Sequence, residues 1–195
     1  MKKLLALLLL SAVAGCVTPP PVSAPDGAAL ESGVLSRTGR FAVRVDELGG
    51  QQNAVQGGFA WRDAGRTLTL DLNSPLGAAL ARVQVRPDGS ALLTEANGTR
   101  TEAADADELV ARVLGSAIPV AGLRYWLRGE LARQMPAEIF ERDARGRAQA
   151  FAQGGWRVRI TEFDAIGPVR MNLQRAEPGN RNIDVRLVIT PVPAP

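Results

Sequence analysis

The chain has 195 residues, of which 22% are charged, with a net charge of +3, no histidine and one cysteine. Without histidine it lacks the commonest general base, the usual triad partner of serine and the commonest metal ligand. No phosphate-binding glycine loop and no basic stretch interleaved with aromatic residues is present, which argues against nucleotide and nucleic-acid partners. We expect no enzyme, cofactor or metal site, with a pair of carboxylates as the one formal route to catalysis.

The N-terminal residues predict a signal peptide and a lipid anchor. Two lysines precede an apolar run from Leu4 to Leu10, and residues 13–16 have the sequence VAGC, which resembles a bacterial lipobox. The apolar run is too short for a transmembrane helix, so we expect a signal peptide over 1–15 and lipidation of Cys16. Several acyl chains on one residue would anchor the protein stably. A buried free thiol or a catalytic thiol at this position is the alternative.

The next segment predicts a spacer between the anchor and a folded domain. Val17 stands where aspartate often signals retention in the inner membrane, so we expect the periplasmic face of the outer membrane. The proline-rich run from Thr18 to Gly27 favours an extended backbone. We therefore predict a tether over 16–33 and one domain over 34–195, which is long enough for one core.

Several segments alternate apolar and polar residues with a period of two. This pattern predicts antiparallel strands with one buried and one solvated face, and turn signals such as PDGS at Pro87 and ANGT at Ala96 separate the segments. We expect a mainly β fold, a curved sheet or barrel. The alternating apolar positions are Phe41, Val43 and Val45; Leu68, Leu70 and Leu72; Ala79, Ala81, Val83 and Val85; Trp156, Val158 and Ile160; Ile183, Val185, Leu187 and Ile189.

Two short helices, which we call the lid, interrupt the strands. The first is predicted from Asp105, as N-cap of a capping box with Glu108, to a stop at Gly115. The second is predicted from Pro119 to about Gly129, with its arginines facing outward. From the residues alone, the apolar faces of these helices either cover a cavity or simply fill the core of the sheet.

The loop and helix motifs resemble the LolB family of outer-membrane lipoprotein receptors. The resemblance is carried by SPLGAAL from Ser74 to Leu80 and by ADADELVARVLGSAIPVAGLRYWLRG, with its Ile-Pro step and its Leu-Arg-x-Trp-x-x-Gly helix end. Two departures are Ser74, where asparagine is common, and Arg128-Gly129-Glu130, where a more apolar, proline-containing exit is usual.

The resemblance implies an incomplete, half-open antiparallel β-barrel with a short helical lid over a hydrophobic cavity. It further implies that a monomer receives lipoproteins from the periplasmic carrier LolA, holds their acyl chains in the cavity and inserts them into the outer membrane. The alternative is an outer-membrane scaffold lipoprotein that binds another envelope protein or the cell wall without lipid transfer.

We expect inward-facing strand residues and apolar lid residues to line the cavity. On the strands they are Phe59, Trp61, Leu70 and Val83, and on the lid they are Leu109, Val113, Leu123 and Trp126.

The loop between the second and third of these alternating segments raises a separate question. Leu76 lies between Pro75 and Gly77 in a turn, where a large aliphatic side chain has no evident core to enter. It either projects into water or folds back onto its own domain. In the family the matching leucine serves membrane targeting and cargo insertion, so the resemblance makes Pro75, Leu76 and Gly77 the expected membrane-insertion loop.

Overall fold

The computed structural model describes residues 33–47 and 49–193. The predicted signal peptide, Cys16 and nearly all of the predicted tether lie outside these residues. Within them the chain forms eleven strands and two helices. In chain order these are β1 (Leu35–Asp46), β2 (Gln52–Asp63), β3 (Leu68–Asn73), β4 (Ala79–Val85), β5 (Ala91–Glu95), β6 (Arg100–Ala103), α1 (Ala106–Leu114), α2 (Val120–Trp126), β7 (Ala137–Arg142), β8 (Ala148–Gln153), β9 (Trp156–Phe163), β10 (Pro168–Glu177) and β11 (Arg181–Ile189).

All eleven strands belong to one antiparallel sheet. Its order is β6-β5-β4-β3-β2-β1-β11-β10-β9-β8-β7, so β6 and β7 are its two edges and do not pair with each other. The sheet is therefore open, and the predicted class, a mainly β antiparallel fold with a short helical lid, is confirmed. Because α1 and α2 follow β6 and precede β7, the lid connects the two edge strands along the chain.

The strands alternate between a buried and a solvated face, as their sequences predict. In β1, Phe41, Val43 and Val45 are buried while Ala42 and Arg44 are exposed. Each fully buried aliphatic or phenylalanine side chain stabilises the fold by about 1.5–3 kcal/mol. The buried face of the sheet forms a continuous core with apolar residues of both helices.

Two glycines let neighbouring strands and aromatic rings approach closely near the middle of the sheet. A Cβ on Gly39 would collide with the carbonyl oxygen of Val188, and a Cβ on Gly57 would collide with that of Asn73. The Phe41 ring lies 3.0 Å from the position such a Cβ on Gly57 would take. Glycine in a strand typically marks a close backbone approach of this kind.

The two helices begin and end near the predicted residues. Asp105 is the N-cap of α1, and its carboxylate accepts from the Glu108 N–H at 2.9 Å. Gly115 ends the helix with a left-handed φ of 72°. Pro119 gives α2 no side-chain cap. Instead Asp107 of α1 accepts from the Ala121 N–H at 3.3 Å, which joins the helices. No helix in the described part of the chain is long and apolar enough to cross a membrane.

Candidate functional site

A small apolar cavity lies between the buried face of the sheet and the lid. Its volume is about 40 Å³, enough for a few water molecules and far below the roughly 300–1,000 Å³ of typical small-molecule sites. All of the lining residues are apolar. They are Phe41, Val43, Phe59, Trp61, Leu70, Leu72, Val110, Leu114, Ile118, Val120, Leu123, Leu127, Val185 and Leu187.

The predicted lining residues divide into two groups. Phe59, Trp61, Leu70 and Leu123 surround the cavity. Outside its lining, Val83, Leu109 and Trp126 are buried in the core, and Val113 is half-buried against it. Sequence reasoning did not name several other lining residues, although they lie on the same apolar strand faces and helix stripes. The cavity is the part of that apolar interior that the lid leaves unfilled.

A polar cluster, which we call the Asp63 cluster (Asp63, Arg124 and Arg128), connects α2 and the residues after it to the sheet. The Asp63 side chain is 4% exposed at the end of β2. Arg124 donates from Nη2 to Asp63 Oδ1 at 2.8 Å and also to the Gly65 carbonyl. Arg128 Nη2 lies 3.5 Å from Asp63 Oδ2. The expectation that both arginines face outward is therefore wrong, since both lie against Asp63. The physical reason is that a buried carboxylate requires a cationic partner.

A second set of polar contacts connects the end of α2 to β8. Gln153 is buried, and its Oε1 accepts from Trp126 Nε1 at 2.8 Å and from the Ala132 N–H at 2.9 Å. Its Nε2 donates to the carbonyls of Ala132 and Met135, each at 2.9 Å. The Trp126 ring meets Phe151 edge-on at a centroid distance of 5.8 Å. Trp126 therefore ties the lid to the sheet.

The far end of α1 has its own contact with the sheet. Arg181, at the start of β11, donates to the Gly115 carbonyl at 2.9 Å, just after α1 ends. The same guanidinium binds Glu177 at 2.7 Å. Together with the Asp63 cluster and the Gln153 contacts, this contact means that hydrogen bonds and ion pairs connect the lid to the sheet at three places in the described part of the chain.

The loop between β3 and β4 holds Leu76 away from the rest of the protein. Leu76 is 98% exposed. A turn fixes the loop, because the Gly77 N–H donates to the Ser74 carbonyl at 2.9 Å. Ser74 Oγ also accepts from the Ala78 N–H at 3.1 Å, so the serine that departs from the family pattern supports the loop. Leu76 does not fold back onto its own domain.

The fold and the cavity together define a class of protein. An open antiparallel sheet with a two-helix lid encloses a hydrocarbon-lined space. Residues 33–47 and 49–193 contain no group of three or more His, Cys, Asp or Glu side chains that could hold a metal ion. The protein is therefore a lidded open-sheet protein with an apolar interior.

Comparisons with known proteins identify the family. The family model described as outer membrane lipoprotein LolB matches residues 35–191, and the chain belongs to this family. The outer-membrane lipoprotein LolB of Bordetella petrii is 50% identical over 186 residues, covering 95% of this chain and 90% of that protein. That of Bordetella pertussis is 53% identical over 183 residues, covering 94% and 89%. The family is one of lipoprotein transport, so the protein is not an enzyme.

A more distant relative also matches most of this chain. The outer-membrane lipoprotein LolB of Cupriavidus pinatubonensis is 39% identical over 205 aligned positions, which cover 98% of this chain and 96% of that protein. A solved structure of a LolA superfamily protein from Nitrosomonas europaea overlaps 82% of this chain and 87% of that chain, with a TM-score of 0.42 and 7% identity.

Proposed function

We propose that this protein receives lipoproteins from the periplasmic carrier LolA, holds their acyl chains beneath the lid and inserts them into the outer membrane. The observation that carries the proposal is the hydrocarbon-lined cavity between the sheet and the lid. Acyl chains are unfavourable in water, and an apolar cavity offers them a water-free surface without covalent chemistry. Transfer then follows the affinity for acyl chains. This affinity must be higher in the cavity than in the carrier, and higher still in the membrane.

The small volume of the cavity requires the lid to move when cargo enters. At about 40 Å³ the cavity has no room for an acyl chain. The contacts that hold the lid are suited to release, since Arg124 and Arg128 are partly exposed and can exchange Asp63 for water. The Asp63 carboxylate is nearly buried, so water must reach it as the arginines leave, because a buried charge without a partner is strongly unfavourable. Lifting the lid therefore exposes apolar surface that the incoming acyl chain covers.

The Leu76 loop supplies the contact with the membrane in this proposal. Burying one leucine contributes only about 1.5–3 kcal/mol, which is less than a lipid anchor on Cys16 would provide. Leu76 therefore acts locally, where cargo leaves the cavity, while the lipidated Cys16 keeps the protein at the periplasmic face of the outer membrane. Pro75 and Gly77 hold the loop in shape for this contact.

The experiment that tests the proposal measures transfer from the carrier. The chain from residue 17 to 195, which includes every described residue, is mixed with a LolA–lipoprotein complex. We expect the lipoprotein to move to this chain and to remain soluble with it. A chain that takes up neither the lipoprotein nor a fluorescent fatty-acid analogue would overturn the proposal and support the scaffold alternative.

A further inference from the structure

A groove on the solvated face of the sheet adjoins the Leu76 loop. Its volume is about 540 Å³, and Pro75 and Gly77, the neighbours of Leu76, both belong to its lining. Gly58 of β2 keeps the groove open, because a Cβ at this position would lie within 3.9 Å of the Asn73 Cβ. The groove is therefore continuous with the loop that carries the most exposed apolar side chain.

Two arginines give this groove a positive charge. Arg40 of β1 is exposed, and no described residue forms an ion pair or a hydrogen bond with its side chain. Arg186 of β11 donates from Nε to Asp184 at 3.2 Å, which leaves both of its Nη groups without an acceptor among the described residues. No aspartate or glutamate is among the described residues that line the groove. Since a guanidinium can only donate, the groove lacks an anionic acceptor.

The register of the strands places the two guanidiniums within reach of one ligand. Arg40 lies opposite Val188, and Arg186 is two residues from Val188 on the same face of β11. Such diagonal neighbours are roughly 7–8 Å apart, a distance that long side chains can bridge. Two positive charges at this distance repel each other, and a bound anion replaces the repulsion with attraction. The arginine fork matches the oxygens of a phosphate, so the groove is suited to a phosphate group.

Exposed apolar side chains beside the arginines indicate that this phosphate belongs to a lipid. Three large apolar side chains are exposed in the described part of the chain. Two of them lie at this groove, since Val188 lines it and Leu76 stands between two residues that line it. A free phosphate gains nothing from apolar contacts, whereas a phospholipid combines an anionic head with hydrocarbon.

The spacing between the arginines and the loop fits the layers of a bilayer. Arg40 lies opposite Gly58, which lies opposite Asn73, the last residue before the loop. Arg40 is therefore two strand spacings, roughly 10 Å, from Asn73. The headgroup layer on each side of the hydrocarbon is about 5–8 Å thick. With Leu76 in the acyl region, the long side chain of Arg40 can remain in the headgroup layer.

We propose that this groove binds the phosphate of a phospholipid headgroup in the membrane, with Arg40 and Arg186 as donors, while Leu76 enters the acyl region. The inference rests on the proposed function, in which the Leu76 loop contacts the membrane, and it adds a lipid partner for the sheet beside that loop. A second point of contact fixes which side of the domain faces the bilayer, which a single leucine cannot do.

The test measures binding to vesicles in the absence of cargo. The chain from residue 17 to 195 is mixed with vesicles of equal parts phosphatidylcholine and phosphatidylglycerol, and the bound fraction is measured by flotation. We expect Arg40→Gln to weaken binding by about 5-fold, the effect of one basic residue at an anionic surface. Arg145→Gln is the matched control, because it removes the same charge from an exposed turn between β7 and β8 that does not line the groove, and it should have little effect.

A second measurement reports on the site itself. The Arg40 Nε–H resonance of the wild-type chain should shift more with dihexanoyl phosphatidylglycerol, a soluble phospholipid, than with an equal concentration of inorganic phosphate. Equal shifts with the two ligands would overturn the assignment of the groove to a lipid. Equal losses of vesicle binding in Arg40→Gln and Arg145→Gln would also overturn the inference, because net charge alone would then explain binding.

These outcomes are separate from those of the proposed function. Receipt of lipoprotein from LolA takes place in solution, so Arg40→Gln should receive it as the wild type does. A wild-type chain that receives no lipoprotein, yet binds vesicles through Arg40, would overturn the proposed function and support the phosphate site. A chain that receives lipoprotein, yet binds vesicles equally well with and without Arg40, would overturn the inference alone.

Discussion

Arg124 of α2 and Asp63 of β2 form an ion pair 2.8 Å long between residues that are 61 positions apart in the chain. Asp63 is nearly buried, while a quarter of the Arg124 side chain remains exposed. In the proposed function, water must reach both groups when the lid lifts, because a buried charge without a partner is strongly unfavourable. The pair therefore connects the lid to the sheet, and the proposed function requires it to exchange for water when the lid opens.

Replacing Asp63 by asparagine should loosen the lid without removing the side chain. Asparagine can still accept from the Gly65 N–H, as Asp63 does at 2.9 Å, but it attracts the two arginines less strongly. We expect a loss of about 1–3 kcal/mol in the free energy of unfolding, as for hydrogen bonds to charged groups, and faster uptake of a fluorescent fatty-acid analogue in stopped-flow experiments. Asp71→Asn, which removes an exposed pair with Arg82, is the control and should change neither quantity appreciably. Uptake at the wild-type rate would show that Asp63 does not hold the lid.

Leu76→Glu should separate receipt of cargo from its delivery. The side chain is almost fully exposed, so the substitution should change the free energy of unfolding by no more than about 0.5 kcal/mol. We expect normal transfer from LolA in solution and strongly reduced transfer to liposomes, because a carboxylate resists entry into the acyl region of a bilayer. Phe140→Glu, at a half-exposed position on β7, introduces the same charge elsewhere and should still deliver cargo. Full delivery of cargo by Leu76→Glu would show that the Leu76 loop is not needed for insertion into the membrane.

Gln153→Leu should destabilise the protein strongly. The leucine would leave Trp126 Nε1–H and the Ala132 N–H without their acceptor, and two carbonyls without their donor. We expect a loss of at least about 3 kcal/mol in urea unfolding, because each buried unpaired group costs roughly 1–3 kcal/mol. Gln153→Glu keeps the acceptor but sets a second acceptor against the carbonyls of Ala132 and Met135 and buries a charge, so it should also destabilise the protein. Equal stability of wild type and Gln153→Leu would contradict the buried network.

Asp164 should contribute to acid sensitivity. Burial acts to raise its pKa, but the N–H groups of Val192 and Ile166 and the charge of Arg37 outweigh burial, so the pKa lies below its ordinary value. With the folded pKa below the unfolded pKa of about 3.9, this carboxylate stabilises the fold above that pH, and the contribution is lost as the pH falls through the folded pKa. Asp164→Asn should therefore lose less stability than wild type between about pH 6 and about pH 3 in urea titrations. An identical decrease in both proteins would refute this assignment.

Much of the fold is predictable because the strands are solvated on one face. Alternation identifies the buried residues of β1, and the Asp105 cap and Gly115 stop define α1. The edge near β7 is harder to predict. There the pairing with β8 shifts register around Ile139 and Glu141, and Ala150 and Phe151 are buried in succession. A bulge of this kind breaks the period of two on which the prediction depends.

The cavity is only partly predictable, since core and cavity residues have the same apolar pattern. Trp61 and Val83 both face inward, yet only Trp61 borders the space that the lid leaves empty. That difference depends on how closely the helices pack, which no local sequence pattern records. The inward orientation of Asp63 has a signal in the sequence, because Asp63 continues the alternation of the inward-facing Phe59 and Trp61. The signal was hidden by the turn sequence DAGR that begins at the same residue.

The position of the lid between the two edge strands has a consequence for how the molecule could be assembled. Residues before the lid form β1–β6 and residues after it form β7–β11, and these two groups of strands pair only between β1 and β11 in the described sheet. That pairing extends from Gly39 with Ile189 to Asp46 with Asn182. A cut between α1 and α2 would therefore yield two complementary fragments, each carrying one helix, that can reunite through a single antiparallel seam at the centre of the sheet.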